Sequence, residues 1–209
     1  MRLYVLVEGS SDVPTVQTIL EHRFGLEEHI DFKIVSFQGK GELPHDPNAR
    51  PDERRRGLLH QLPATLRGMA WDHERCIVVL VDADREDCVL LLAKLQAMLQ
   101  QLTKRPRRVL FRIAIEEMES WFIADSAAIL AAYPSAKVAA LRRIRPDAVC
   151  GAWEKLAVAV GAVVNGRPQS LKREWAERIL PHLDLIEPRS PSLRKFVEGV
   201  ERSLQQADG

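Results

Sequence analysis

The chain reads as an α/β protein: a parallel sheet of about four strands flanked by helices, with a helical C-terminal subdomain. Three observations predict this. Short apolar runs rich in Val and Ile recur at 3–7, 77–81 and 109–115, each bounded by a charge or a glycine, as strands buried on both faces are. Helical patterns with start signals separate them, and strand–helix alternation implies crossovers that keep the strands parallel. Beyond Asp125 the β signal fades and proline-separated helical segments take over.

The elements follow in order. Strand one spans about 2–7. Ser10, Ser11 and Asp12 suit a helix N-cap and Pro14 a first helical turn, so a helix is predicted to run to about Phe24. Residues 31–38 read as strand two. A loop rich in Gly, Pro, Asp and Asn then spans 39–51; it is longer than most connections, which marks a candidate functional loop. A helix is expected over 52–70, interrupted by Pro63, and strand three over 75–81. The 86–102 segment places Leu90, Leu91, Leu95, Met98, Leu99 and Leu102 on one broad helical face. Strand four, 109–115, leads into a helix over 116–124. Helices are expected at 126–133, 135–145, 147–160, 169–182 and 190–206, separated by Pro134, Pro146, Pro168 and Pro188. The layout is thus an α/β core, 1–125, with a helical subdomain, 126–209, packed on it.

Composition narrows the function classes. At 209 residues one sizeable core can be buried, and 46% hydrophobic with 28% charged content is that of a globular chain, not a disordered one. Net charge is +1, so the whole molecule does not attract nucleic acid; local basic clusters must carry any such contact. They stand at Arg54-Arg55-Arg56, Lys104-Arg105-Pro106-Arg107-Arg108 and Arg142-Arg143-Ile144-Arg145, and each reads first as solvated surface. Cys76, Cys88 and Cys150 lack a CxxC spacing, which points away from zinc and disulfides and fits a reducing cytoplasm. The first residues lack the pattern of a signal peptide, and no apolar stretch approaches the roughly 20 residues of a membrane span. The six histidines, His73 among them, show no metal-ligand spacing.

The informative chemistry sits at strand ends. Strand one runs into Glu8-Gly9 and strand three into Asp82-Ala83-Asp84. Ligands of open parallel sheets bind at the carboxyl ends of strands, so these carboxylates can converge. Two Asp at i and i+2 of an extended chain point to one side. A Glu plus an Asp-x-Asp is an oxygen-only donor set suited to Mg²⁺ or Mn²⁺. Lys40, between Gly39 and Gly41, is either a solvated loop lysine or a mobile positive charge for a phosphate. The loop is not a P-loop, since Glu42 occupies the hydroxyl position. Glu116, Glu117 and Glu119 open the helix after strand four; a helix dipole favours acids there, yet three in four positions exceed what capping requires.

Val7-Glu8-Gly9-Ser10-Ser11-Asp12, Gly39-Lys40-Gly41, Val81-Asp82-Ala83-Asp84 and Ile115-Glu116-Glu117-Met118-Glu119-Ser120-Trp121 together resemble the TOPRIM domain. That domain is shared by topoisomerases, bacterial primases and nucleases of the overcoming-lysogenization-defect class. The resemblance covers roughly the first 125 residues, and the layout is most similar to small stand-alone TOPRIM-like bacterial proteins of unknown function. Lys172, Arg173 and Ser190-Pro191-Ser192-Leu193-Arg194 resemble the tail of the same proteins. It implies Mg²⁺ or Mn²⁺ held by Glu8, Asp82 and Asp84, with Glu119 and Glu116 as further ligands. Glu8 would act as general acid or base, with Asp82 and Asp84 as its catalytic partners. Gly9 would let the backbone approach a phosphate, and Lys40 and Lys172 would contact it.

Topoisomerase chemistry needs a Tyr nucleophile, and of Tyr4 and Tyr133 the first lies within a buried strand. Haloacid-dehalogenase phosphatases also carry a strand-end DxD, but they want a Thr or Val beyond it, where this chain has Arg85-Glu86, and carry the motif near the start; DxD glycosyltransferases would leave Glu8-Gly9 unexplained. The expectation is a metal-dependent phosphodiester hydrolase, a nuclease acting on DNA ahead of RNA, working beside a separately encoded ATPase partner. The alternative is a non-catalytic TOPRIM-fold binding module acting with such a partner, which the near-neutral charge favours.

Overall fold

Four parallel strands form the centre of the structure, a computed structural model describing residues 2–71, 74–139, 141–148, 151–162 and 168–206. They are β1 (Arg2–Val7), β2 (Phe32–Ser36), β3 (Arg75–Asp82) and β4 (Val109–Ala114), in the order β2-β1-β3-β4. Val5 stands opposite Ile34 on one side and Val78 on the other, and Val79 opposite Phe111. Successive side chains face opposite sides of a sheet. Leu3, Val5, Val7, Val78 and Leu80 therefore enter one core, while Tyr4, Leu6, Ile77, Val79 and Val81 enter a second. Burial on both faces explains why β1 and β3 are almost unbroken apolar runs.

The eight α-helices of the described residues cover those faces. α1 (Val13–Phe24) carries Pro14 in its first turn and stops at Gly25, whose φ of 64° is left-handed. α2 (Leu58–Gly68) starts later than the expected 52 because its first amides are already committed. Leu58 and Leu59 donate to the carbonyls of Gly39 and Lys40 at 2.8 and 2.7 Å. Pro63 lies inside α2 without ending it. α3 (Cys88–Gln101) begins at Asp87, whose carboxylate accepts from the Val89 and Leu90 amides. Its buried face is Leu91, Leu95 and Met98; Leu90, expected there, is 63% exposed.

α4 (Glu119–Ile123) is shorter than the expected 116–124, since Glu116 adopts a left-handed φ of 64° and cannot join the helix. α5 (Ser126–Ala132) follows its cap Asp125. The helix expected over 135–145 reduces to a 3-10 turn at Leu141–Arg143. The one expected over 147–160 is α6 (Ala152–Val160). α7 (Pro168–Ile179) runs into a 3-10 turn, Leu180–His182, and α8 (Pro191–Gln205) is capped by Ser190, which accepts from the Leu193 amide. His73 and Cys150 lie outside the described residues.

α2 and α3 cover one face of the sheet; α1 and the C-terminal helices cover the other. Leu156, Trp175 and Phe196 share a core with Leu3, Val5 and Val78, so the C-terminal helices close the face that the α/β part leaves apolar. The Trp121 indole donates to Ser192 Oγ at 2.8 Å and its ring lies 5.7 Å from that of Phe196, tying α4 to α8. Gly199 lets α8 lie against the Arg112 guanidinium of β4, which a Cβ would strike. Parallel strands bring Glu8, the 82–84 turn and the 115–119 turn to a single sheet edge. No described helix is long and apolar enough to cross a membrane.

Candidate functional site

At that edge the two central strands are joined through their acids. Glu8 Oε1 accepts the Asp82 amide at 2.8 Å. Burial pushes the Glu8 carboxyl up to about 7; the Asp82 amide and Lys40 oppose this, while Asp84 and Asp12 reinforce it. Asp82 is shifted well above the ordinary carboxylate range by burial, then by the charges of Glu8, Asp12 and Glu119, with Lys172 opposing. Several acids with so few cations among them hold protons at pH values where an exposed carboxylate would not.

Asp84 does not stand beside Asp82 as the i, i+2 argument expects. Its φ of 50° ends the extended chain, and its carboxylate pairs with Lys40 Nζ at 2.9 Å. Lys40 also donates to the Ala83 carbonyl at 3.2 Å and pairs with Glu86 at 3.0 Å. Burial disfavours the Lys40 cation, but its bonds to Asp84 and Glu86 outweigh that and raise its pKa. The lysine is held, not mobile. Gly39 donates its amide to the Glu8 carbonyl at 2.8 Å, and the Gly39 and Lys40 carbonyls take the first amides of α2. Gly39 and Gly41 have φ of 87° and 67°, and a Cβ on Gly41 would meet the His60 ring at 2.5 Å. Glycines at both sites let the loop bend tightly and aim Lys40 at the strand-three turn.

Lys172 of α7 reaches the same edge. Its Nζ lies 3.1 Å from Glu119 and 3.8 Å from Glu117. Burial works against this cation, yet Glu119 and Glu117 outweigh it and raise its pKa. Glu119 is buried, and burial raises its pKa despite Lys172. Glu117 is pushed up to about 7 by burial, again against Lys172 and reinforced by Glu119 and Glu116. Its Oε2 is buried with no hydrogen-bond partner among the described residues.

Glu116 has a different task from the metal ligation expected of it. Its carboxylate accepts the Gly151 and Ala152 amides, the latter at 3.0 Å, and so caps α6. Glu116 thus sits at a helix N-terminus that favours an acid, but that of a helix 35 residues away. Gly9 also differs from expectation. Its amide is already given to Asp12 Oδ2 at 2.8 Å, and a Cβ there would make only ordinary contacts.

Asp12 was legible only as a helix cap. It occupies the N-cap position of α1 but makes no capping bond; instead it folds back on Gly9 and Ser11 and faces the cluster. Burial raises its pKa, the Gly9 amide and Lys172 opposing. Its place in the Glu8-to-Asp12 turn was the available signal. The partnerless oxygen of Glu117 had none beyond its membership of an acidic run.

The donors fit a hard divalent cation in kind: all are carboxylate oxygens, one of them buried and, among the described residues, unpartnered. Among the described residues, no three His, Cys, Asp or Glu side chains close into a ready-made metal cage. Mg²⁺ does not require one, because it is commonly held by one or two carboxylates plus water and substrate phosphate oxygens.

A parallel α/β sheet with a lysine-threaded carboxylate cluster at its carboxyl edge is the class that fold and site define. The chain belongs to the family described as Domain of unknown function (DUF4276), which matches residues 7–201 and so takes in Glu8, Asp82, Glu119 and Lys172 alike. Comparison with curated proteins and with solved structures gives no match.

Proposed function

We propose that the protein is a TOPRIM-like, metal-dependent phosphodiester hydrolase, a nuclease working at the carboxyl edge of the sheet. The observation that carries the reading is the imbalance of charge there. Asp12, Asp82, Glu117 and Glu119 gather around Lys172, while Glu8, bonded to the Asp82 amide, has Lys40 as its cation and Asp84 is held by the same lysine at the rim. Clustered carboxylates destabilise a fold unless a cation is bound or protons are retained, and such strained acids mark functional sites.

Glu8 and Asp82 would hold Mg²⁺ or Mn²⁺, with Glu119 or Glu117 as a further donor. When bound, the cation would stabilise charge on phosphoryl oxygens and acidify a water. Where Glu8 stays off the metal and Asp82 holds it with Glu119 or Glu117, Glu8 would instead exchange a proton with the attacking water or the leaving oxygen, a role that suits its raised pKa in the metal-free protein. Lys172 and Lys40 supply positive charge beside the phosphate, Lys40 after release from Asp84. DNA is the expected substrate ahead of RNA, the compartment the cytoplasm, and a separately encoded ATPase a fitting partner. The second reading, a non-catalytic binding module beside such a partner, draws on the ion pairs that already engage Asp84 and Glu119.

Cleavage of single-stranded or nicked DNA with Mn²⁺ or Mg²⁺ separates the two. Glu8→Gln should lower the rate by about 10²–10⁴-fold, the usual contribution of a positioned acid or base. Wild type and Glu8→Gln equally inactive on DNA and RNA, with and without a co-purified ATPase, would replace the hydrolase by the binding module.

A further inference from the structure

With acids gathered at one edge of a chain of net charge +1, positive charge collects at the other. Arg2 opens β1, Arg75 opens β3, and Arg107 and Arg108 lead into β4. Between the starts of β3 and β4 and the last turns of α8 lies a cavity of about 290 Å³. Cys76, Arg107, Arg108, Arg202, Ser203 and Gln206 line it. Arg107 and Arg202 are exposed. Arg108 donates to the Gln206 carbonyl at 3.2 Å, which fixes it to the wall. Glu198 reaches Arg202 only at 3.9 Å. Burial, and then the nearby charge of Arg202, lower the pKa of Arg112 behind the cavity. Three arginines thus line one small cavity, Arg202 with a further guanidinium nearby, and a phosphate-bearing ligand would offset this positive charge through charge-assisted, forked hydrogen bonds.

An aromatic platform stands on the same edge. Trp71 is 70% exposed, whereas Trp121 and Trp175 are fully buried. The Arg75 guanidinium lies 5.0 Å from the Trp71 ring centre and 4.4 Å from that of Tyr4. Arg75 and Cys76 are consecutive on β3 and face opposite sides. The Trp71 stack and the arginine cavity therefore flank one sheet edge. Positive charge that follows a backbone, beside an exposed ring on which bases stack, is how single strands are held without sequence preference.

We propose that this amino-terminal edge seats a nucleic-acid strand, with Arg107 and Arg202 gripping backbone phosphates and Trp71 stacking a base. The seat lies about 23 Å from the acidic cluster, the rise of β3 from Arg75 to Asp82 at roughly 3.3 Å per residue. It deepens the hydrolase reading by giving the substrate a second hold, and rests on that reading only for the choice of nucleic acid as ligand.

Anisotropy of a fluorescein-labelled oligothymidine in EDTA measures binding without hydrolysis. Arg107→Ala with Arg202→Ala should weaken binding and flatten the slope of log K against log salt by about 1.4, at roughly 0.7 for each phosphate no longer neutralised. Charge reversal to Glu at both positions should weaken it further. Trp71→Leu should cost about tenfold in affinity with the slope unchanged, as loss of one stacked base does. All three variants alter exposed side chains, so a wild-type melting temperature is the folding control. Unchanged affinity and slope in the arginine variants would overturn the seat. So would displacement of the oligonucleotide by inorganic tripolyphosphate as readily as by unlabelled oligonucleotide. Binding that follows these expectations without cleavage would remove the hydrolase reading alone; cleavage with unaltered salt slopes would remove the seat alone.

Discussion

Glu8→Gln should stabilise the metal-free protein at neutral and alkaline pH. The Glu8 carboxyl rises from 4.5 to about 7 on folding, which at 1.36 kcal/mol per unit is a penalty of about 3 kcal/mol once the group is ionised. A carboxyl whose folded pKa is raised keeps its proton in the native state while the unfolded chain gives it up. Stability therefore falls as pH rises from 4.5 to about 7, and the full penalty is present above that window. A glutamine does not titrate and can still accept the Asp82 amide, which Glu8 takes at 2.8 Å. Its neutral oxygen accepts less strongly than a carboxylate, which offsets about 1 kcal/mol. The net gain is about 2 kcal/mol at pH 8, or about 4–8 °C in melting temperature for a chain of this size. Urea unfolding in EDTA at pH 4.5 and pH 8 measures it: a near-zero difference at the first and a clear gain at the second, with the m-value unchanged. A variant no more stable than wild type at pH 8, or one with the same gain at both pH values, would refute the claim that Glu8 is held as a strained acid.

Three other substitutions separate structural from site roles. Glu116→Ala removes the acceptor for two amides at the start of α6 and should cost about 1–2 kcal/mol by denaturant unfolding, with no change in any metal-induced stabilisation. Lys172→Ala strands buried Glu119 and the neighbouring Glu117 without their cation; it should cost about 3 kcal/mol at pH 8 and less at pH 5, where Glu117, with its pKa pushed up to about 7, holds its proton. Gly41→Ala meets both a φ of 67° and the His60 ring, so a loss of about 1–2 kcal/mol is expected, and because it displaces the Lys40 loop it should slow any cleavage as well.

The sheet was legible because each strand is an apolar run ending at a charge, and buried parallel strands have few other ways to be written. The expectations for Glu8, Lys40 and Asp82 rested on strand-end placement, and these side chains do meet at one edge. What sequence reasoning missed depends on single backbone angles. The left-handed turns at Asp84 and Glu116 redirect two carboxylates, one onto Lys40 and the other onto the start of α6, and neither position carries the glycine that would have announced such a turn. Asp12 was masked by its suitability as a helix cap; it does sit at the N-cap, but its side chain bonds Gly9 and Ser11 instead of capping the helix. The start of α2 was misplaced for a long-range reason, since its amides pair with the Gly39–Lys40 loop that the chain reaches many residues earlier. The helix expected over 135–145 shrinks to a single 3-10 turn in the segment that joins α5 to α6, where tertiary context overrides helix-forming composition.

Thermal unfolding with and without divalent metal tests the central claim most directly. If Glu8, Asp82 and their neighbours hold Mg²⁺ or Mn²⁺, metal at about a hundred times its dissociation constant should stabilise the wild type by about 2.7 kcal/mol, or about 5–11 °C for a chain of this size. Asp82→Asn combined with Asp84→Asn should abolish that rise while leaving the metal-free protein at least as stable, since the strained charge at Asp82 is gone. An equal rise in the double variant, or none in the wild type, would contradict the account.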